Sequence, residues 1–216
     1  EGERAIRQLM LAQALAYEPD PARRRESLRE AVEKLQDIRG LPNEYAATLP
    51  WLLASSLYWL GALEENVELL QEAVDEWRSL TQAHAREASA MIWAKSLVNL
   101  GNALWRFGEH EAGTKSLNEA VEAYRVSLQV LTREAAPELW ATVQHNLGSA
   151  LRSLGELEPG NQRLEESAAA YRAALEVRTR ERYPSAWAAT QSGLAATLGS
   201  LGQREPETER IREAIA

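Results

Sequence analysis

Leu60-Gly61, Phe107-Gly108, Leu154-Gly155 and Leu201-Gly202 recur along the chain at a constant step of 47 residues. Trp93, Trp140 and Trp187 keep the same step, as do Leu100-Gly101 and Leu147-Gly148, which relax to Leu53-Ala54 before and Leu194-Ala195 after. Leu70, Leu117, Leu164 and Ile211 form another series, Glu72, Glu119, Glu166 and Glu213 a further one, and Trp77, Tyr124 and Tyr171 a shorter one. A fixed period of this length, kept by large apolar residues and glycines together, is the signature of a stacked repeat array. Each unit of such an array buries its apolar face only against its neighbours, so function is expected on an extended surface rather than in one cleft.

Composition narrows the class. Ala, Leu, Glu and Arg dominate while Val, Ile, Thr and Asp are scarce, and the abundant types are the better helix formers, so the chain reads as all-α. A net charge of -8 argues against nucleic acid as the main partner, because phosphate binding is driven by clustered Lys and Arg. The one tight basic run, Arg23-Arg24-Arg25, follows Asp20-Pro21, a helix-capping pair, and reads as a solvated helix face. With no cysteine there is no disulfide framework and no thiolate metal site, which suits a reducing cytoplasm. Tyr45 to Leu63 is uncharged and long enough to span a bilayer. It nevertheless contains Thr48, Pro50, Ser55, Ser56 and Gly61 and falls in register with the charged segments 92–110 and 139–157, so it reads as a buried repeat helix without a membrane role. The opening residues do not read as a signal peptide. The chain begins Glu-Gly-Glu and stops inside a repeat, and so reads as a piece of a longer protein.

Each unit reads as two helices. Pro137 opens one that runs to about Leu154, with Trp140, Val143, Leu147, Leu151 and Leu154 at three- and four-residue steps, and Gly155 is expected to stop it. A second is expected from Gln162 to Arg182, broken by Tyr183-Pro184. The same reasoning gives 4–17 with 22–39, Glu44–Leu60 with Glu65–Leu80, Met91–Phe107 with Glu111–Glu134, and Ser185–Leu201 followed by an incomplete helix from Pro206. The whole reads as one array over 1–216, with units at about 4–41, 44–83, 91–135, 138–182 and an incomplete 185–216. Small residues at Ala54, Gly101, Gly148 and Ala195, and at Ala73, Ala120, Ser167 and Ala214, mark expected close helix crossings. Trp93, Trp140 and Trp187 repeat too regularly to be a special site and read as core packing.

Leu100-Gly101-x-x-Leu104 followed by Ala120-x-x-x-Tyr124, and Leu147-Gly148-x-x-Leu151 followed by Ser167-x-x-x-Tyr171, resemble the tetratricopeptide repeat. The resemblance covers essentially the whole chain. It departs from the usual period of about 34 residues: about seven extra residues lengthen the link between helices, and the rest are expected to extend the second helix. The resemblance implies a right-handed α-solenoid of about five helix-turn-helix hairpins, whose first helices line a concave groove. It implies a non-enzymatic scaffold that binds a peptide or helix of a partner protein there. In bacteria, long repeats of this kind are often joined to an effector domain such as a caspase-like protease or an ATPase.

Groove positions carried across residue by residue are Thr48, Trp51, Ser55, Tyr58 and Trp59, then Lys95, Val98, Asn102, Trp105 and Arg106, then Thr142, His145, Ser149, Arg152 and Ser153, and a bland set, Ala189, Ser192, Ala196, Gly199 and Ser200. The favoured binding set is Trp51, Ser55, Tyr58, Lys95, Asn102, Trp105, Arg106, His145, Ser149 and Arg152. Lys95, Asn102, Arg106 and Arg152 resemble a cationic strip that holds a carboxylate-bearing peptide through charge-assisted hydrogen bonds; the alternative is that these cations are solvated or paired with neighbouring Glu. Trp51 and Trp105 are either exposed in the groove or packed between repeats. His84, His110 and His145 lie in different units without metal-ligand spacing, and no nucleophile-base set or phosphate loop is present, so neither enzymatic chemistry nor a cofactor or metal is expected. A competing reading is self-association through the incomplete last unit, where Leu194, Leu198 and Leu201 lack a full covering helix, giving a homodimer that positions a fused effector domain.

Overall fold

The computed structural model describes residues 2–40, 42, 45, 48–83, 89–111 and 113–215, with side chains described as far as Arg204. The described residues are all-helical, with nine helices and no strand: α1 (Gly2–Ala16), α2 (Pro21–Asp37), α3 (Thr48–Glu64), α4 (Val67–Ala83), α5 (Ala90–Gly108), α6 (Lys115–Ser127), α7 (Pro137–Leu157), α8 (Gln162–Leu175) and α9 (Pro184–Ile215). They fall into two compact units, Glu1–His110 and Glu111–Ala216. The expected helix start at Glu44 and His84 lie outside the described residues, as do the side chains of Ile211, Glu213 and Ala214.

In the first unit α1 packs on α2, α2 on α3, α3 on α4 and α4 on α5, while α1, α3 and α5 also touch in series. The capping signal holds at α2, where the Asp20 carboxylate accepts the Ala22 N–H at 3.0 Å and Pro21 takes the first turn. The apolar stripe of α4, Leu70, Ala73, Val74, Trp77 and Leu80, is buried at the three- and four-residue spacing of one helix face. In the second unit α6 packs on α7, α7 on α8, and α9 on both α8 and α7. Its core includes Leu117, Tyr124, Leu131, Leu151, Leu154, Leu164 and Tyr171.

Several expectations are corrected by how the chain packs. Gly61 and Gly155 do not stop their helices, which continue to Glu64 and Leu157. They are contact points instead: a Cβ would sit 3.0 Å from Leu70 at Gly61 and 2.7 Å from Leu164 at Gly155. Of the second helices α6 and α8 are not extended, ending at Ser127 and Leu175, whereas α4 runs to Ala83, past the expected Leu80. The buried Ser127 hydroxyl donates to the Tyr124 carbonyl at 2.7 Å, the kind of side-chain bond that competes with helix propagation. Beyond it Thr132 accepts the Ala135 N–H, as Thr179 accepts that of Arg182, so the extra residues form turns. At the other end α9 runs through Gly202 and Pro206, where a break was expected. Among the described residues nothing lies within 4 Å of a Cβ at Gly199 or Gly202.

Ala195 is exposed, and the close crossing expected there belongs to Gly193, whose Cβ would fall 2.6 Å from the Tyr171 ring. Gly193→Ala is expected to destabilise the protein by about 1–2 kcal/mol, the lower part of the overpacking range. Gly199→Ala, in open helix, is expected to be neutral or slightly stabilising. Urea unfolding midpoints of the two variants check the contrast; equal midpoints would remove the argument.

Candidate functional site

The first unit presents a cleft of about 420 Å³ where α1, α3 and α5 meet. Gln13 and Tyr17 at the end of α1 form one wall, Thr48, Trp51 and Leu52 of α3 the floor, and Ile92 and Lys95 of α5 the other wall. Trp51 is half-buried and sets its ring edge-on to the fully buried Trp77, with centroids 4.8 Å apart and planes at 87°. It is therefore both packed and accessible. Tyr17 and Ile92 are exposed large side chains, at 69% and 45%. Lys95 is exposed and has no ion pair among the described residues, so the cleft carries one uncompensated cation at its rim.

The other predicted residues of this unit lie further along the same helices. Trp51, Ser55 and Tyr58 follow one stripe of α3, but the Ser55 hydroxyl donates to the Trp51 carbonyl at 2.8 Å and offers no free proton. Tyr58 is half-buried against Trp59, with ring centroids 5.1 Å apart. Burial pushes its phenol pKa up, partly opposed by the Arg106 charge and reinforced by Glu109. Arg106 pairs with Glu109 at 2.6 Å, and Asn102 and Trp105 are half-buried and already engaged by other groups. The structure thus brings Trp51 and Lys95 into one cleft and leaves Arg106 neutralised by its own helix end.

His145, Ser149 and Arg152 lie on α7 in the second unit. Arg152 pairs with Glu156 one turn on, at 2.5 Å. Ser149 is buried and shares a hydrogen bond of 2.9 Å with the Tyr171 hydroxyl, so it acts as a strut and presents nothing to a partner. The two paired arginines correct the picture of a continuous cationic strip: of its three cations, Lys95 alone is without a carboxylate among the described residues.

His145 belongs to a polar cluster. Its Nδ1 lies 3.1 Å from the Thr190 hydroxyl, and its ring meets that of Tyr171 edge-on at 5.4 Å. Burial, with the Arg178 charge second, lowers its pKa from 6.5 to about 4, so it is neutral at physiological pH. Arg178 donates to Thr190 at 3.1 Å and to Thr142 at 3.0 Å. Sequence reasoning overlooked Arg178 and Thr190; the available signal was that they stand 47 residues after Leu131 and Val143, which are apolar.

Trp140 and Trp187 are half-buried rather than core, with the guanidinium of Arg133 5.8 Å from the Trp140 ring and that of Arg180 5.6 Å from Trp187. Both arginines stand seven residues before their tryptophan, which is how a repeated aromatic stays regular without being buried. Trp93 is likewise half-buried. Among the described residues no group of three His, Asp or Glu is placed to hold a metal ion, and no helix is long and apolar enough to cross a membrane.

Residues 94–126, from Ala94 in α5 to Val126 in α6, match the tetratricopeptide repeat family. Comparison with curated proteins finds no match. The match covers one repeat, so residues 94–126 are similar to a tetratricopeptide repeat, and the all-helical architecture of the described residues is consistent with an array of that type.

Proposed function

We propose that this chain is a non-catalytic scaffold that binds a peptide or helix of a partner protein, with the cleft between α1, α3 and α5 as its principal contact. Tetratricopeptide repeats generally mediate protein–protein interaction. The observation that carries the reading is the pairing, in one cleft, of the half-buried Trp51 with the uncompensated Lys95. A tryptophan backed by packing is the kind of residue that dominates interface energy. A solvent-exposed lysine at the rim adds charge selection rather than bulk affinity. The fitting ligand has an apolar side chain for the cleft and an acidic residue beside it. Arg106 and Arg152, being paired, contribute little to that selection.

Peptides selected from a displayed random library against the full chain provide the test. Lys95→Glu is expected to weaken the selected peptides on the order of tenfold or more and to remove their preference for acidic residues. Arg106→Gln is expected to change affinity by less than about threefold, because it removes a cation that is already neutralised by Glu109. Affinities unaltered by Lys95→Glu, measured by calorimetry, would sink the cleft reading.

A further inference from the structure

Forty-seven residues after the fully buried Leu131 the chain places Arg178, and the same step after the fully buried Val143 places Thr190. Thr190 is itself fully buried and Arg178 half-buried, so two polar groups stand side by side where the preceding unit has Val143 and Leu131. Burying polar groups costs free energy unless they are satisfied, and here the satisfaction is partial. Arg178 donates to Thr190 and Thr142, and both hydroxyls pass their own protons on, to the Ala186 and Glu138 carbonyls at 2.7 Å and 2.8 Å. The guanidinium is thereby held in one orientation by neutral partners. No carboxylate of the described residues forms an ion pair with it, and its neighbour His145 is neutral. Burial alone lowers the Arg178 pKa, with no acidic group opposing.

Beside this guanidinium lies a cavity of about 140 Å³, walled by Thr142, Val177, Tyr183, Ala186 and Glu138. That is a few times the roughly 30 Å³ of one water molecule, enough for a compact group of a few heavy atoms. We propose that this cavity binds a single carboxylate group, held by the Arg178 guanidinium. An arginine has five donors in a planar fork that matches a carboxylate, and two neutral acceptors leave the fork unfilled. Val177 and Ala186 supply apolar cover for the carbon stem behind the carboxylate. Glu138, whose carboxylate accepts the Tyr183 hydroxyl proton, stands on the same wall and opposes any ligand of higher charge, which selects a carboxylate over a phosphate dianion. The site lies in the second unit and does not depend on the cleft of the first. The same chemistry is offered by a free small carboxylate and by an aspartate or glutamate side chain of a docked protein segment.

The test is a titration of the full chain with acetate and, separately, with N-acetyl-aspartate amide, followed by amide and arginine-side-chain NMR, with sodium chloride at matched ionic strength as control. Saturable shifts confined to residues around 138–145 and 177–190, absent with chloride, are expected. Binding is expected to weaken on the order of tenfold or more in Arg178→Gln, because a charge-assisted pair is lost. Tighter binding of the aspartate derivative than of acetate assigns the site to a protein side chain, and the reverse order to a free carboxylate. Shifts that do not saturate, that chloride reproduces, or that persist unchanged in Arg178→Gln overturn the proposal. Should Arg178→Gln fail to fold, the exposed Glu138→Gln decides: tighter acetate binding supports the site, and unchanged affinity overturns it.

Discussion

Trp77→Ala is expected to destabilise the protein by about 3–5 kcal/mol, the largest single-residue effect in the first unit. Trp77 is among the largest side chains that are fully buried, at 1% exposure, and it belongs to the apolar stripe of α4. Truncation removes its transfer free energy and leaves a cavity that helices fixed on both sides close only in part. The loss extends to the cleft. Trp51 rests edge-on against Trp77, and aromatic pairs in that geometry contribute about 0.5–1.5 kcal/mol beyond buried area. Without its support Trp51 gains freedom that a ligand must remove again on binding. Trp77→Phe should retain an aromatic edge and cost less, about 1–2 kcal/mol. Chemical denaturation of the two variants, with peptide affinity measured on each, separates the effects. A midpoint for Trp77→Ala within about 1 kcal/mol of wild type would show that this position is not the anchor its burial indicates.

The helices were legible because apolar residues at three- and four-residue steps stand out against an Ala-, Leu- and Glu-rich background. Their ends were less so, for a physical reason visible at Gly61 and Gly155. A glycine near a helix end serves equally as a terminator or as a gap for a crossing side chain, and the sequence does not say which. Here Leu70 and Leu164 occupy the gap. The turns after α6 and α8 were hidden in the same way, since they depend on hydroxyl bonds such as that of Ser127 to the Tyr124 carbonyl rather than on glycine or proline.

The candidate site was legible in part. Spacing on α3 and α5 identifies Trp51 and Lys95, and the cleft adds Gln13, Tyr17 and Ile92, which no repeat register singled out. The fate of the arginines was readable in principle: Glu109 follows Arg106 by three residues and Glu156 follows Arg152 by four, the steps at which a helix pairs opposite charges. Arg178 was invisible because it lies beyond α8, where the helix was expected to continue and an arginine would have been one more solvated charge.

The second large effect is on acid stability, and it rests on His145. Its pKa in the folded protein, about 4, lies below its ordinary 6.5 because burial disfavours the imidazolium and the Arg178 charge disfavours it further. Between those two values the unfolded chain takes up a proton that the folded chain refuses. The contribution of neutral His145 is therefore complete above about pH 6.5 and is lost as pH falls toward 4. A displacement of this size corresponds to roughly 3 kcal/mol at full burial, and the partial exposure of the ring reduces it to about 2 kcal/mol. His145→Gln keeps a polar group facing Thr190 but does not titrate. Urea unfolding of wild type and His145→Gln at pH 7 and pH 4.5 is expected to show a steeper loss for wild type, by about 1–2 kcal/mol, over and above the carboxylate titration common to both. Parallel losses in the two proteins would mean that the folded state accepts the proton, and that the cluster of His145, Thr190 and Arg178 does not hold the imidazole neutral.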